Sequence, residues 1–421
     1  MKVDVLKKIL TDSRSVAMSK PCDVREYSFE DGANYILGGV RRCGKSSIMC
    51  DRSRILHDRG ISWEQIFYLD FSDECLKDFE AEEFDMLLLT TQTISPGKSY
   101  FFLDEINRVE GWEEYVLKFA HTGSLVYVSI SDGLPTSPGI QSLLDAGFKF
   151  MPIYTYSIRE YLLAAKIAFD SSSLANPKIA RLVDDSFSEY QSTGGFPYSG
   201  SYLRKRDYIE GILQNDIMSG AISHNEIRNP MGFRLILKKM AENIGVEQSN
   251  QKLHSQVATA GVVLSRDDFM DYVDYAKSSF MVFSVDNHHA KITPDKSNVP
   301  KYFFTDVGLL NLISMQNDMA ILKNIVAVQL KRKYGNDLEY YKSGQINVDV
   351  DFYVESEGLA IIVTDYFQGL ERKKGMTSFE VIKSKHPEIS KFIVLTKAQE
   401  ETEETSKIKV QILPALKYLL S

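Results

Sequence analysis

Apolar residues come in short runs through the first third of the chain and at helical spacing through its middle. Val3, Leu6 and Leu10 share one helical face, which predicts a short amphipathic helix packed on a core. Five apolar runs follow: Tyr35 to Leu37, Ile66 to Phe71, Tyr100 to Leu103, Leu125 to Ile130 and Phe148 to Tyr154. Helix-like or irregular segments separate them, and strands alternating with crossovers predict a parallel sheet covered on both faces, with ligand at the strands' carboxyl ends. From Tyr156 to about Pro230 the spacing turns helical, as in Ile158, Tyr161, Leu162, Ile209, Ile212, Leu213 and Ile217. Gly194, Gly195, Phe196 and Pro197 interrupt it and read as a structural turn or hinge rather than a ligand contact. Gly232 to Val285 predicts three helices and a strand, with Ser249 and Ser265 as N-caps, a capping box at Ser265 to Asp268, and a turn at Gly261. Beyond it lie the helix Ile321 to Leu330 and strand-like runs at Leu338 to Tyr341, Val348 to Val354, Leu359 to Val363 and Phe392 to Leu395.

Chemistry enters at the end of the first run. Gly39, Val40, Arg41, Arg42, Cys43, Gly44, Lys45 and Ser46 fit the P-loop pattern G-x-x-x-x-G-K-[ST], between a strand-like run and a helix-like segment ending near Gly60. Glycines let the backbone turn its N–H groups toward phosphate oxygens, and the following helix adds the positive end of its dipole. Lys45 is expected to reach the β and γ phosphates, and the Ser46 hydroxyl to ligate Mg²⁺. The third run closes on Asp104 and Glu105. There Asp104 is expected to hold Mg²⁺ through its water shell and Glu105 to orient or deprotonate the attacking water, because nucleotide hydrolysis needs positioning and charge stabilisation. Arg41 and Arg42 admit either nucleotide contact or cover of the sheet's edge.

Length, composition and charge narrow the setting. At 421 residues the chain is too long for one ordinary core. Its 44% hydrophobic and 25% charged residues are those of a globular protein. A net charge of −8 argues against a broadly basic, nucleic-acid-coating surface and leaves room for a local patch. Cys22, Cys43, Cys50 and Cys75 show no metal-ligand spacing, and no apolar run is long enough for a bilayer span or a signal peptide, so a cytoplasmic location without membrane contact is expected. The acidic run Glu400 to Glu404 reads as a solvated loop.

The stretches GGVRRCGKSS, FFLDEINRVEGWEEYV, PIYTYSIREYL and TGGFPYS resemble the prokaryotic AAA+ ATPases that carry a C-terminal domain of restriction-endonuclease-like fold. The resemblance runs on to the C-terminus. It makes Gly39 to Ser46 Walker A, and Asp104 and Glu105 Walker B, with Trp112 on the helix packed beneath. It implies ATP rather than GTP. Where such proteins have a Gly-Ser segment sensing the γ-phosphate, this chain has Ser129, Ile130, Ser131 and Asp132, so Ser131 is the stand-in. Where they have a Gly-Arg pair before the last strand, this chain has Gly147 and Phe148. Loss of that arginine lowers turnover while leaving binding intact, if it acts as a finger on the transferring phosphate. Lys149 and Arg159 are the candidate substitutes. The expected nucleotide contacts are Gly39, Val40, Arg41, Arg42, Cys43, Gly44, Lys45, Ser46, Ser47, Asp104 and Ser131, with Glu105 catalytic and Mg²⁺ on Ser46 and Asp104.

The resemblance also labels the remaining domains. Residues 1–156 become an α/β P-loop AAA+ domain, 157–230 a helical lid, 231–300 a winged helix-turn-helix domain, and 301–421 an α/β nuclease-like domain. Arg204, Lys205 and Arg206 form a compact basic patch on the lid. A winged helix raises DNA binding. Its third helix opposes that reading, carrying Asp267, Asp268, Asp271 and Asp274 against Arg266 and Lys277. A packing or protein-partner role is therefore favoured, with Lys238, Lys239, Lys291 and Lys296 as the possible phosphate contacts. Tyr302 to Leu309 resembles the entry to the last domain. There Asp351 fits the strand aspartate of a metal-dependent nuclease, but Lys323 stands in place of the helix acid, and Ile362 and Thr364 in place of the acid and lysine. Asp349 shares the face of Asp351 by the strand's period of two, and Asp365 lies past the expected place. A scaffold without catalysis is expected. Three functions follow: an ATPase coupling nucleotide state to domain rearrangement, a nucleotide-bound switch with negligible turnover, or a DNA-processing ATPase.

Overall fold

Each of the five N-terminal apolar runs becomes a strand, and their order is set by crossovers rather than hairpins. The computed structural model describes residues 2–218, 227–293 and 298–421, so Lys296 lies outside the described residues, as does the Ile217 side chain. The chain forms two units, Met1–Thr155 with Ser278–Phe280, and Tyr156–Lys277 with Met281–Ser421.

In the first unit β1 (Tyr35–Gly38), β2 (Ile66–Asp70), β3 (Tyr100–Asp104), β4 (Leu125–Ile130) and β5 (Lys149–Pro152) pair in the order β2-β3-β4-β1-β5, all parallel. The helices α1 (Val3–Ser19), α2 (Lys45–Asp58), α3 (Glu83–Ile94), α4 (Trp112–His121) and α5 (Pro138–Asp145) accompany them. Strands β1 to β4 are buried almost throughout and read as continuous apolar runs, while β5, at the sheet's edge, is half-buried to exposed. Below the sheet, Phe101 stacks on Phe119 at 4.6 Å, and Phe84 meets Phe79 edge-on at 5.0 Å. Rings of this size supply much of the apolar burial, about 1.5–3 kcal/mol for each fully covered side chain.

Parallel register brings the chemistry to one edge. Asp104 pairs across from Asp70, and Gly38 from Ile130 and Pro152. The turn Gly39–Gly44 leaves β1 at this edge and enters α2, with Arg42 at φ 66° and Gly44 at φ 106°. Gly39 has no alternative, since a Cβ there would lie 2.2 Å from the Ile153 carbonyl oxygen.

In the second unit α6 (Ile158–Ala164), α7 (Ser171–Leu174), α8 (Pro177–Thr193) and α9 (Lys205–Gly211) precede a π-helical turn, Ile212–Met218. Next come α10 (Pro230–Ala241), α11 (Asn250–Thr259) and α12 (Arg266–Ser278), the three helices expected from periodicity. The Ser249 hydroxyl accepts the Lys252 N–H, and the Ser265 hydroxyl that of Asp268. Then follow β6 (Val282–Asn287), α13 (His288–Ile292), β7 (Lys301–Phe304), α14 (Val307–Ile313) and α15 (Asp318–Tyr334). The chain ends with β8 (Glu339–Ser343), β9 (Val348–Val354), β10 (Leu359–Val363), α16 (Gly369–Lys385), β11 (Lys391–Thr396), β12 (Glu401–Glu404), β13 (Lys409–Pro414) and α17 (Ala415–Leu420). Strands β6 to β13 form one mixed sheet ordered β12-β13-β11-β10-β9-β8-β6-β7. The strand closing the three-helix segment therefore belongs to the C-terminal sheet, through its parallel pairing with β8.

One expectation is corrected. The acidic run is not a loop: Glu401–Glu404 pairs antiparallel with β13. An edge strand needs only its backbone ladder, and exposed charge protects it from further pairing. Arg372 meets Glu401 at 3.2 Å and Glu403 at 3.0 Å, which offsets part of the repulsion.

The double-glycine turn has a specific function in this unit. The buried Asp306 carboxylate caps α14 by accepting the Gly308 and Leu309 N–H groups, and it accepts the Gly195 N–H at 2.9 Å on its other oxygen. A Cβ on Gly194 would lie 2.1 Å from Asp306 Oδ1, and one on Gly308 2.3 Å from the Thr193 carbonyl oxygen. Two motifs far apart in sequence thus interlock by backbone contact, with no room for side chains.

Asp306→Ala is expected to destabilise the chain by about 2–4 kcal/mol, the sum of a lost cap and an orphaned buried donor. Denaturant unfolding followed in the C-terminal sheet measures it, and a loss within experimental error would show that the cradle is not what holds α8 to α14. Gly39→Ala is expected to lower the melting temperature, because backbone rather than a flexible side chain must yield; an unchanged melting temperature would mean the loop shifts freely.

Candidate nucleotide site

The P-loop closes around its own lysine. Lys45, 3% exposed, donates to the Gly39 carbonyl at 2.8 Å, the Val40 carbonyl at 3.3 Å and the Ser131 hydroxyl at 2.9 Å. It also meets Glu105 Oε1 at 3.2 Å. Ser131 in turn donates to both Glu105 oxygens, at 2.6 and 2.8 Å. Lys45 in α2 and the residues just past β3 and β4, half-buried Glu105 and buried Ser131, thus form one connected network. Burial alone pushes the Lys45 ammonium down, but Glu105 and then Cys43 and Asp104 outweigh it and hold it above the usual lysine range. Glu105 mirrors this. Burial raises its carboxyl, while Lys45, the Ser131 hydroxyl and Arg41 bring it below the usual carboxylate range. Both shifts favour the charged pair.

Asp104 is fully buried, and its oxygens accept the Ser129 hydroxyl and, at 2.7 Å, the Tyr68 hydroxyl. Ser129 also accepts the Glu105 N–H at 2.9 Å, fixing a residue held at φ 53°. Such a carboxylate suits contact with a hydrated cation better than direct coordination.

The remaining expected residues fall on the same turn. Val40 and Cys43 are buried beneath it, and burial pushes the Cys43 thiol up, so Cys43 packs as a neutral group. Arg41 and Ser46 are half-buried, Arg42 is exposed, and Ser47 is buried in the first turn of α2. Phe148 lies in the apolar core, so its position offers no cation. Lys149 pairs with Glu30 at 2.5 Å. Arg159, in the other unit, donates to the Leu420 carbonyl.

Several participants escaped the sequence. Arg25 donates to the Cys43 carbonyl at 3.1 Å and the Tyr154 carbonyl at 2.6 Å, bracing the loop. Asp70, beside Asp104, is pushed up by burial and by that neighbour's charge. Asn107 accepts the Ser131 N–H at 3.3 Å. Tyr68 and Asp70 on β2 and Ser129 on β4 flank Asp104 from the neighbouring strands, a placement that only register reveals; Arg25 carries no motif at all.

The site fits a nucleotide with Mg²⁺. A lysine and a helix N-terminus face one turn whose glycine excludes any side chain, and Ser46, Asp104 and Glu105 supply hydroxyl and carboxylate oxygens suited to a hard cation. Among the described residues no helix is long and apolar enough to cross a membrane.

Residues 32–162 match the family described as AAA domain, and residues 184–320 match one described as a domain of unknown function, DUF8612. An uncharacterized protein of Haemophilus influenzae is 27% identical over 323 residues, covering 74% of this chain and 78% of the relative. One from Methanocaldococcus jannaschii is 23% identical over 343 residues, covering 79% and 74%. Among solved structures, a Walker-type ATPase of Pyrococcus abyssi aligns at 11% identity and TM-score 0.42, over 74% of this chain and 94% of that one. DnaA of Aquifex aeolicus, bound to AMPPCP, aligns at 11% identity and TM-score 0.23, over 64% and 87%. The first unit carries a P-loop ATPase domain of the AAA family, followed in the chain by a domain of unknown function.

Proposed function

We propose that the protein is a Mg²⁺-dependent ATPase of the AAA+ type that couples nucleotide state to rearrangement of its second unit. The observation that carries this is the Lys45, Ser131, Glu105 network at the P-loop. Lys45 is already charged and already aimed at the turn, so exchanging the Gly39 and Val40 carbonyls for phosphate oxygens leaves its charge satisfied. Ser46 and, through water, Asp104 hold Mg²⁺. Bound ATP with Mg²⁺ supplies the phosphoryl group and spreads the charge that develops in transfer. Once Lys45 turns to phosphate, the Glu105 carboxylate, still gripped by Ser131, is free to orient a water. The chain passes between the units near residues 155, 277 and 280, which gives the proposed coupling a covalent route.

Negligible turnover is the second reading, favoured by Phe148 in the apolar core where the resembled family has an arginine. DNA processing has less support. Asp267, Asp271 and Asp274 are exposed on α12 while Phe269, Tyr272 and Val273 face inward, so the solvent face of that helix is acidic. In the C-terminal sheet, which we read as a nuclease-like scaffold, Lys323 meets Asp351 Oδ1 at 2.7 Å and the Val363 N–H donates to its Oδ2. The lysine supplies the positive charge a metal would bring, which supports a non-catalytic scaffold.

Steady-state ATP hydrolysis across protein concentrations tests the reading. Lys45→Ala is expected to weaken ATP binding by at least about tenfold, or about 1.4 kcal/mol. Glu105→Gln should keep binding and lose about 100-fold in turnover, as expected for a general base. ATP bound without turnover by the parent would establish the switch instead, and turnover rising steeply with concentration would imply an arginine from a second copy.

The Glu105 shift also has a sign that can be checked. Folding lowers its pKa, so its contribution to stability is complete above the unfolded value of about 4.3 and is lost as pH falls through the lower folded value. Between about pH 5 and 3 the parent should lose melting temperature faster than Glu105→Gln. Parallel curves would mean that the pair contributes nothing to folding.

A further inference from the structure

Three chain segments meet at one end of the eight-stranded sheet, away from Asp351. His288 opens α13 directly after β6, Glu355 follows β9, and His386 follows α16. Each offers one ligand atom, and these atoms lie within 4.8 Å of one another. Glu355 stands four residues beyond Asp351, about 13 Å along an extended strand, so the cluster is separate from the Lys323 pair.

His288 is the decisive member. It is fully buried, and its Nδ1 lies 2.6 Å from Glu339 Oε2. Glu339 also meets Lys291 at 3.1 Å, which keeps it an acceptor, so Nδ1 carries a proton and Nε2 is the ring atom left to face a ligand. That Nε2 is buried with no hydrogen-bond partner among the described residues. Buried imidazole nitrogens are ordinarily satisfied. A carboxylate fixing one ring nitrogen while the other is left bare is the arrangement by which proteins orient a metal-binding histidine. The ring is further held by Tyr353, at 4.4 Å between centroids.

We infer that His288, Glu355 and His386 form a binding site for a divalent transition metal of the zinc type. Two imidazoles and one carboxylate make the three-protein-ligand set of open zinc sites, with the fourth position left for water or an exogenous ligand. Tetrahedral bonds of about 2.0–2.1 Å place ligand atoms about 3.3 Å apart, so the triad has to contract. Glu355 is exposed and His386 half-buried, which puts the movable ligands on the solvent side and the fixed one inside. The inference does not depend on the nucleotide reading, because every ligand lies in the second unit and the P-loop motif in the first.

The test uses full-length protein stripped with chelator, in nucleotide-free buffer, with Zn²⁺ alone measured by equilibrium dialysis and elemental analysis. One Zn²⁺ per chain is expected. Glu355→Ala and His386→Ala should each lose at least about tenfold in affinity, the lower end of what altered metal shells cost. Co²⁺ gives a second readout, since a tetrahedral site with nitrogen ligands yields visible d–d absorption that both variants should lose. Glu355 is exposed, so that variant remains informative if a histidine variant fails to fold. Substoichiometric Zn²⁺ in the parent, or parental affinity in folded Glu355→Ala, would overturn the inference.

Discussion

A lysine that is 3% exposed has to keep its charge against the cost of desolvation, and much of the first unit is arranged to allow it. The turn offers two carbonyls, β3 delivers Glu105, and β4 delivers Ser131. Neither Glu105 nor Ser131 is near Lys45 unless β1, β3 and β4 are parallel and end at one level. The crossover topology is therefore a condition for the charge, and the aromatic core that holds α4 against β3 is what maintains the level. Gly39 sets the remaining distance by letting the turn pass against the Ile153 carbonyl.

The second unit solves a different problem, holding helices to a sheet assembled from distant segments. It does so with buried polar contacts between backbone and single acids. Asp306 ties the end of α8 to the start of α14, and Glu160 meets Arg332 at 2.7 Å, tying α6 to α15. A buried ion pair adds little net stability over apolar packing, but breaking one is costly, so these contacts specify which helices meet more than they strengthen the meeting.

What the sequence made legible is local. The P-loop is contiguous, and the buried strands advertise themselves as apolar runs, so both could be read from periodicity and motif. Ser129 and Asp70 could not, because their closeness to Asp104 is created by strand register, a long-range property. Glu401–Glu404 was misread because an edge strand with both faces wet carries no apolar alternation, only a backbone ladder. The glycine pair reads as a turn, while what excludes a side chain at Gly194 is Asp306, more than a hundred residues away, and at Gly195 the Tyr156 carbonyl oxygen, 2.3 Å from where a Cβ would lie. His288, Glu355 and His386 left no spacing signal at all, since each lies on a different element.

Two lysine–carboxylate pairs invite comparison, because they look alike and differ in what surrounds them. Lys323 and Asp351 are joined at 2.7 Å, and the second Asp351 oxygen is taken by a backbone N–H. Lys301, buried nearby, has its pKa lowered by burial and, more weakly, by Lys323, while Asp351 opposes both. A divalent cation entering there would meet the Lys323 ammonium already on the carboxylate, and that ammonium would have to leave. Lys45 and Glu105 sit farther apart, at 3.2 Å, with loop carbonyls and a hydroxyl as alternative partners for the ammonium. An incoming anion there meets positive charge and can take over those partners' place without stranding either side chain. A lysine–carboxylate pair is thus closed to a metal in one setting and suited to a phosphate in the other, and the difference lies in the acceptors around the lysine rather than in the pair itself.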